Sequence, residues 1–97
     1  MTLNEYRDKC YDIAKSKGWH DRDRGIPEVL CLIHSEVSEA LEEYRMDRWP
    51  AFCEEIADIL IRVFDFAGSA AIDLDQEVER KMAINEQRDY RHGGKRA

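Results

Sequence analysis

Four carboxylates stand out by type and spacing. Glu36 and Glu39 are three residues apart, and so are Glu55 and Asp58. On a helix, residues three apart lie about 60° apart around the axis and about 4.5 Å along it. Each pair therefore points its carboxylates to one side. If the two helices are consecutive and antiparallel, four acids share one small volume. Unit charges about 4 Å apart repel by roughly 4 kcal/mol at an effective dielectric near 20. Either the groups face water separately, or a hard divalent cation gathers them. Ligation by oxygen alone favours Mg²⁺ or Mn²⁺ over Zn²⁺. Glu-x-x-Glu is also common on solvated helices, and Glu42, Glu43 and Glu54 read as surface charge of that kind. What sets the two pairs apart is their neighbours. Glu36 and Glu39 flank Val37, and Glu55 and Asp58 lie beside Ile56, Ala57 and Ile59. Carboxylates that border a packed seam need a partner.

The elements that must position these acids are helices. Thr2-x-x-Glu5 is a capping box, and Leu3, Tyr6, Cys10, Ile13 and Ala14 follow at helical spacing until Gly18 stops the first helix. Residues 19–25 form a polar loop. Pro27 suits the first turn of the second helix, whose apolar stripe is Val29, Leu30, Ile33, Val37, Ala40, Leu41 and Tyr44. A short connection over 45–49 leads to Pro50 and the third helix. Such a connection makes helices two and three antiparallel neighbours. The third helix is apolar around much of its circumference, so it is the central one or the one buried against another subunit. Gly68 and Ser69 weaken its end. Asp73-x-x-Gln76 is a second capping-box candidate, with Leu74, Val78, Met82 and Asn85 along one side of the fourth helix. A basic, glycine-containing tail follows at 90–96.

Composition agrees with an all-α, single-domain chain over 1–97. Two prolines and five glycines in 97 residues argue against a disordered or turn-rich β chain. Charged residues make up 37%, which confines apolar side chains to stripes. Twenty-one acidic against fifteen basic residues give a net charge of −6, which disfavours a nucleic-acid partner. No apolar run approaches the ~20 residues of a membrane span, and residues 1–8 hold no apolar signal core. Cys10, Cys31 and Cys53 lack CxxC spacing and read as reduced, buried small hydrophobes in a cytoplasmic protein.

Other residues could serve a substrate. Lys81, Asn85 and Arg88 fall at i, i+4 and i+7, one stripe of the fourth helix, where a solvated basic face is the plain alternative. Trp19 and His20 sit in the loop before helix two, and Trp49 sits between the acidic helices. Each tryptophan could stack on a base or simply fill a core or interface. His34 reads as a structural or interface histidine. Three histidines without Glu-x-x-His spacing argue against a ferritin-like di-iron bundle.

At the acidic pairs the chain resembles the MazG-like nucleotide pyrophosphohydrolases of the all-α NTP pyrophosphohydrolase superfamily. The first motif reads Ser35-Glu36-Val37-Ser38-Glu39, with Ser35 where the family has a further glutamate. The second, Glu55-Ile56-Ala57-Asp58, follows after fifteen residues. Lys81, Asn85, Arg88 and Tyr90-Arg91-His92-Gly93-Gly94-Lys95 look like the end of small MazG-like proteins. The resemblance implies a four-helix subunit that pairs into a helical-bundle homodimer or a dimer of dimers. It implies Mg²⁺-dependent cleavage of a nucleoside triphosphate, with a deoxy sugar expected, between the α and β phosphates. Glu36, Glu39, Glu55 and Asp58 would hold the metal, and one of them would orient the attacking water. Lys81 and Asn85 would contact substrate, with Arg91 and Lys95 closing over phosphates where Gly93 and Gly94 permit the approach. The implied role is house-cleaning or control of nucleotide pools. Two other readings stand beside it. One is a non-enzymatic helical dimerisation module. The other is a dUTPase-like or phosphoribosyl-ATP-hydrolysing branch of the same superfamily.

Overall fold

Thr2 starts the first helix as the sequence predicts. In the computed structural model, which describes residues 1–88 and 90, its side chain accepts the Glu5 N–H at 3.1 Å. Glu5 in turn takes the Thr2 N–H at 2.9 Å. Four helices follow: α1 (Leu3–Ser16), α2 (Ile26–Arg45), α3 (Trp49–Ser69) and α4 (Leu74–Glu86). The described residues contain no strand, so the chain is all-α. Prolines 27 and 50 fall in the first turns of α2 and α3, where the missing N–H costs nothing. No helix is long and apolar enough to cross a membrane among the described residues.

The first three helices end in the same way. After α1 the Gly18 and Trp19 N–H groups return to Lys15 and Ala14 carbonyls. After α2 those of Asp47 and Arg48 return to Tyr44 and Glu43, and after α3 those of Ala71 and Ile72 return to Gly68 and Ala67. This double closure needs a left-handed residue just past the helix. Gly18 takes it at φ 81°, but Asp47 and Ala71 take it at φ 56° and 55° without glycine's freedom.

α3 is central and packs between α1 and α2, while α4 leans on α1. Tyr6 of α1 stacks on Phe64 of α3, with ring centroids 5.7 Å apart. Gly68 has a different part from the helix-weakening one its type suggests. A Cβ there would lie 2.6 Å from Tyr11 Cβ and 3.2 Å from the Arg7 carbonyl oxygen. Its missing side chain is what lets α1 and α3 touch.

The single chain buries little. Among the described residues the buried apolar side chains are Ala40 and Ala67 alone. Ile56, Leu60, Ile61 and Val63 on α3, and Leu30, Val37 and Leu41 on α2, remain exposed. Val78 and Met82 on α4 are also exposed, so the apolar side expected there covers no core within this chain. The accessible surface is 7718 Å², against roughly 5,800 Å² for a folded monomer of this mass. The cysteines correct the expectation of burial. Cys31 and Cys53 are exposed on the chain and Cys10 is partly covered; all three are free thiols.

Candidate functional site

The pairing of α2 with α3 brings the acids together. Glu36, Glu39 and Glu55 each offer a carboxylate oxygen, and these oxygens lie within 4.8 Å of one another. Asp58, one turn beyond Glu55, adds its charge to the group. Glu55 Oε2 is shut off from solvent and has no hydrogen-bond partner among the described residues. Its carboxyl is pushed above the usual range by lost hydration first, then by the charges of Glu39 and Asp58, with Glu36 also contributing. An acid cluster that is electrostatically strained and keeps an orphaned oxygen fits a hard divalent cation.

Glu42 and Glu54 are exposed, as surface charges should be. Glu43 departs from that expectation. It is partly covered, Arg48 Nη1 is 3.7 Å from its Oε1, and its Oε2 is screened from solvent without a hydrogen-bond partner among the described residues.

One cation reaches the cluster from α3. Arg62 Nε donates to Glu36 Oε1 at 3.0 Å, with the two side chains 28% and 13% exposed. The Arg62 guanidinium also lies over the Trp19 ring, 4.3 Å from its centroid. Arg24 lies over the same ring at 4.1 Å and donates to the Trp19 carbonyl. Glu28 then holds Arg24 at 3.1 Å and Arg22 at 2.6 Å. The loop between α1 and α2 is thus pinned to α3 through one indole.

Two cavities meet at this indole. The first, about 560 Å³, is lined by the loop and includes His20, Arg24 and Val29. The second, about 450 Å³, opens beside the acids. Glu36 and Asp58 line it, with Lys17, and Cys10, Ile13 and Ile61 make an apolar wall. Trp19, Arg62 and Asp65 line both. Both volumes fall in the range of small-molecule sites, and the second combines an apolar wall with convergent charge. Burial, and then the Asp65 charge, push the Cys10 thiol up, which keeps it in its neutral form.

The other sequence candidates are spread out. His20 Nε2 lies 2.7 Å from the buried Asp65 carboxylate, and its ring meets Tyr11 edge-on. Trp49 is exposed at the start of α3 and packs on Phe52, 5.0 Å between centroids, away from the lining of either cavity. His34 is exposed. Lys81 and Asn85 are exposed on α4, and Arg88 lies just past its end; none of the three lines either cavity in the single chain. Arg91 and Lys95 lie outside the described residues.

Sequence reasoning missed Arg62, Asp65 and Lys17. The signal for the first two is present in Ile59-Leu60-Ile61-Arg62-Val63-Phe64-Asp65-Phe66-Ala67. A lone cation and a lone anion in an apolar helix must each have a partner.

Neither a protein-family model nor a solved structure matches the chain. In an alignment of 74 positions that covers 73% of its length, the chain is 38% identical to a dATP/dGTP diphosphohydrolase of Salmonella phage PMBT28. It spans 24% of the length of that relative, so the likeness joins most of this chain to about a quarter of a nucleotide hydrolase.

Proposed function

We propose that this protein is a Mg²⁺-dependent nucleoside triphosphate pyrophosphohydrolase, with Mn²⁺ as an alternative metal. The observation that carries the reading is the convergence of Glu36, Glu39 and Glu55 oxygens within 4.8 Å, next to a cavity of about 450 Å³. The likeness to the phage diphosphohydrolase supports the same class, and makes dATP and dGTP the first substrates to try. The reaction is hydrolysis between the α and β phosphates, giving a nucleoside monophosphate and pyrophosphate.

Glu36, Glu39, Glu55 and Asp58 hold the cation in this reading. The metal, when bound, supplies Lewis acidity at the phosphates and neutralises their charge. The protein's own part is placement. The α2–α3 pairing sets Glu36 and Glu39 against Glu55, and the apolar wall of Cys10, Ile13 and Ile61 gives the nucleoside a dry surface. A carboxylate of the cluster takes the proton of the attacking water.

Association belongs to the same proposal. Leu30, Val37 and Leu41 of α2 and Ile56, Leu60, Ile61 and Val63 of α3 leave apolar side chains exposed, and a two-fold partner would cover them on both chains at once. A homodimer or homotetramer would also allow α4 of one chain to bring Lys81, Asn85 and Arg88 to a neighbour's cavity.

The test is release of pyrophosphate and monophosphate from a panel of ribo- and deoxynucleoside triphosphates with Mg²⁺. Turnover of at least one triphosphate is expected. No release from any of them, by protein that binds Mn²⁺, would leave a non-enzymatic helical module as the better reading. Sedimentation equilibrium checks the association: a stable 11.4 kDa monomer at micromolar concentration would refute it.

A further inference from the structure

An acidic site that takes a triphosphate must offset more negative charge than one divalent cation removes. The basic residues foreseen for that task lie on α4 and beyond, and none of those described lines either cavity. Arg62 does line both. Its Nε is spent on Glu36, while its two terminal nitrogens have no hydrogen-bond partner among the described residues. The guanidinium is held in place from two sides, by Glu36 and by the Trp19 ring 4.3 Å away. An anchored guanidinium with its outer donors open is pre-organised for phosphate, since its planar fork matches two oxygens at once.

We propose that Arg62 grips a phosphate of the substrate with its terminal nitrogens while its Nε stays on Glu36. This rests on the nucleotide reading above, and it adds a substrate contact supplied by the same chain and the same helix as Glu55 and Asp58. It also gives Trp19 a task other than stacking on a base: the indole steadies the guanidinium beside the acids.

The role has a signature that plain structural support lacks. Deleting a cation beside carboxylates cannot weaken their hold on a metal through charge, yet deleting a phosphate contact must weaken the nucleotide. The two affinities should part. Mn²⁺ binding to the metal-free protein is read by electron paramagnetic resonance. Nucleotide binding is read by calorimetry with Mg²⁺ and a dATP analogue carrying a non-hydrolysable α,β linkage. In Arg62→Gln, Mn²⁺ affinity should stay level or rise, while the analogue binds about tenfold more weakly or worse. Arg62→Lys keeps the charge and lacks the fork; its Mn²⁺ affinity should match wild type, with analogue binding still reduced.

Unchanged analogue affinity in both variants would overturn the proposal and leave Arg62 an ion-pair partner. A parallel loss of Mn²⁺ and analogue would overturn it too, because that is what a collapsed site does. Should Arg62→Gln fail to fold, Arg62→Lys decides by the same two affinities. A wild-type protein that binds Mn²⁺ but neither binds the analogue nor releases pyrophosphate removes the nucleotide reading itself. That result differs from a wild-type enzyme indifferent to Arg62.

Discussion

Two acidic corners of this molecule use the same chemistry to opposite ends. At the joint between α1 and α4, every acid has partners. Asp75 takes the Leu3 and Asn4 N–H groups at 3.0 and 3.2 Å, capping α1 from another helix. Asp73 takes the Gln76 N–H and the Asn4 side-chain amide, and Asn4 Oδ1 takes the Leu74 N–H. Arg7 closes the joint by donating to the Ile72 carbonyl at 2.7 Å. At the α2–α3 seam, three glutamates crowd within 4.8 Å with one guanidinium among them and an oxygen left over. Asp73 is held below the usual carboxylate range by Asn4 first and then the Gln76 N–H, whereas Glu55 is raised by lost hydration and its acidic neighbours. Acids that are satisfied build the fold. The seam acids are not satisfied within the chain, and the proposed cation is what would complete them.

Alanine substitutions test the contrast most severely. Glu39→Ala, Glu55→Ala and Asp58→Ala should each lower turnover by at least about a hundredfold, with helical circular dichroism retained. Asp75→Ala should do the reverse, keeping turnover per folded molecule while the melting temperature falls. Glu42→Ala, on the solvated face, should change neither. Near-wild-type rates for all three seam variants at saturating Mg²⁺ would show that the site is elsewhere.

Metal removal separates the corners next. Activity should vanish in EDTA and return with Mg²⁺. Mg²⁺ at about a hundredfold over its dissociation constant should stabilise the wild type by about 2.7 kcal/mol, visible as a raised melting temperature. The same gain is expected in Asp75→Ala and not in Glu39→Ala. A gain of equal size in all three proteins would place the cation away from the seam.

A substitution outside both corners sets the scale of ordinary packing. Gly68→Ala puts a methyl group against Tyr11 Cβ and the Arg7 backbone, neither of which can yield without moving α1. A loss of about 1–3 kcal/mol is expected by denaturant titration. No loss would mean that α1 and α3 approach less closely than described.

The parts legible in the sequence are those decided locally or by helical period. Thr2 and Asp73 cap their helices because a short oxygen three residues ahead of a free N–H is a local arrangement. The seam is legible in part because two pairs at spacing three on adjacent antiparallel helices can converge; Glu36, Glu39 and Glu55 do so, with Asp58 one turn beyond. What escaped is decided across helices. Gly68 looks like a weak helix end until Tyr11 arrives opposite it. Asp47 and Ala71 adopt left-handed turns that no glycine announces, held by the carbonyls behind them. The exposure of Cys31 and Cys53 depends on what covers α2 and α3, which a count of cysteines cannot reveal.

The smallest contrast is in pH, and its sign differs between the corners. Glu55 has a folded-state pKa above its ordinary 4.5, so the folded chain holds that proton more tightly than the unfolded one. The stability this confers is full below pH 4.5 and is lost as pH rises through the raised value. Asp73 has a folded-state pKa below its ordinary 3.8; its contribution is present above 3.8 and is lost as pH falls through the lowered value. Metal-free melts across the acidic range should therefore show Glu55→Gln overtaking wild type as pH climbs past 4.5. Asp73→Asn should trail wild type above 3.8 and converge with it below. Both differences should be smaller than that of Gly68→Ala, since Asn still caps α4 and the seam is partly hydrated. Saturating Mg²⁺ should reverse the first difference and leave the second untouched, because the cation takes the place of the proton only where acids face one another. If Glu55→Gln and Asp73→Asn instead shift with pH in the same direction, the two corners are electrostatically alike and the seam has no special claim on a metal.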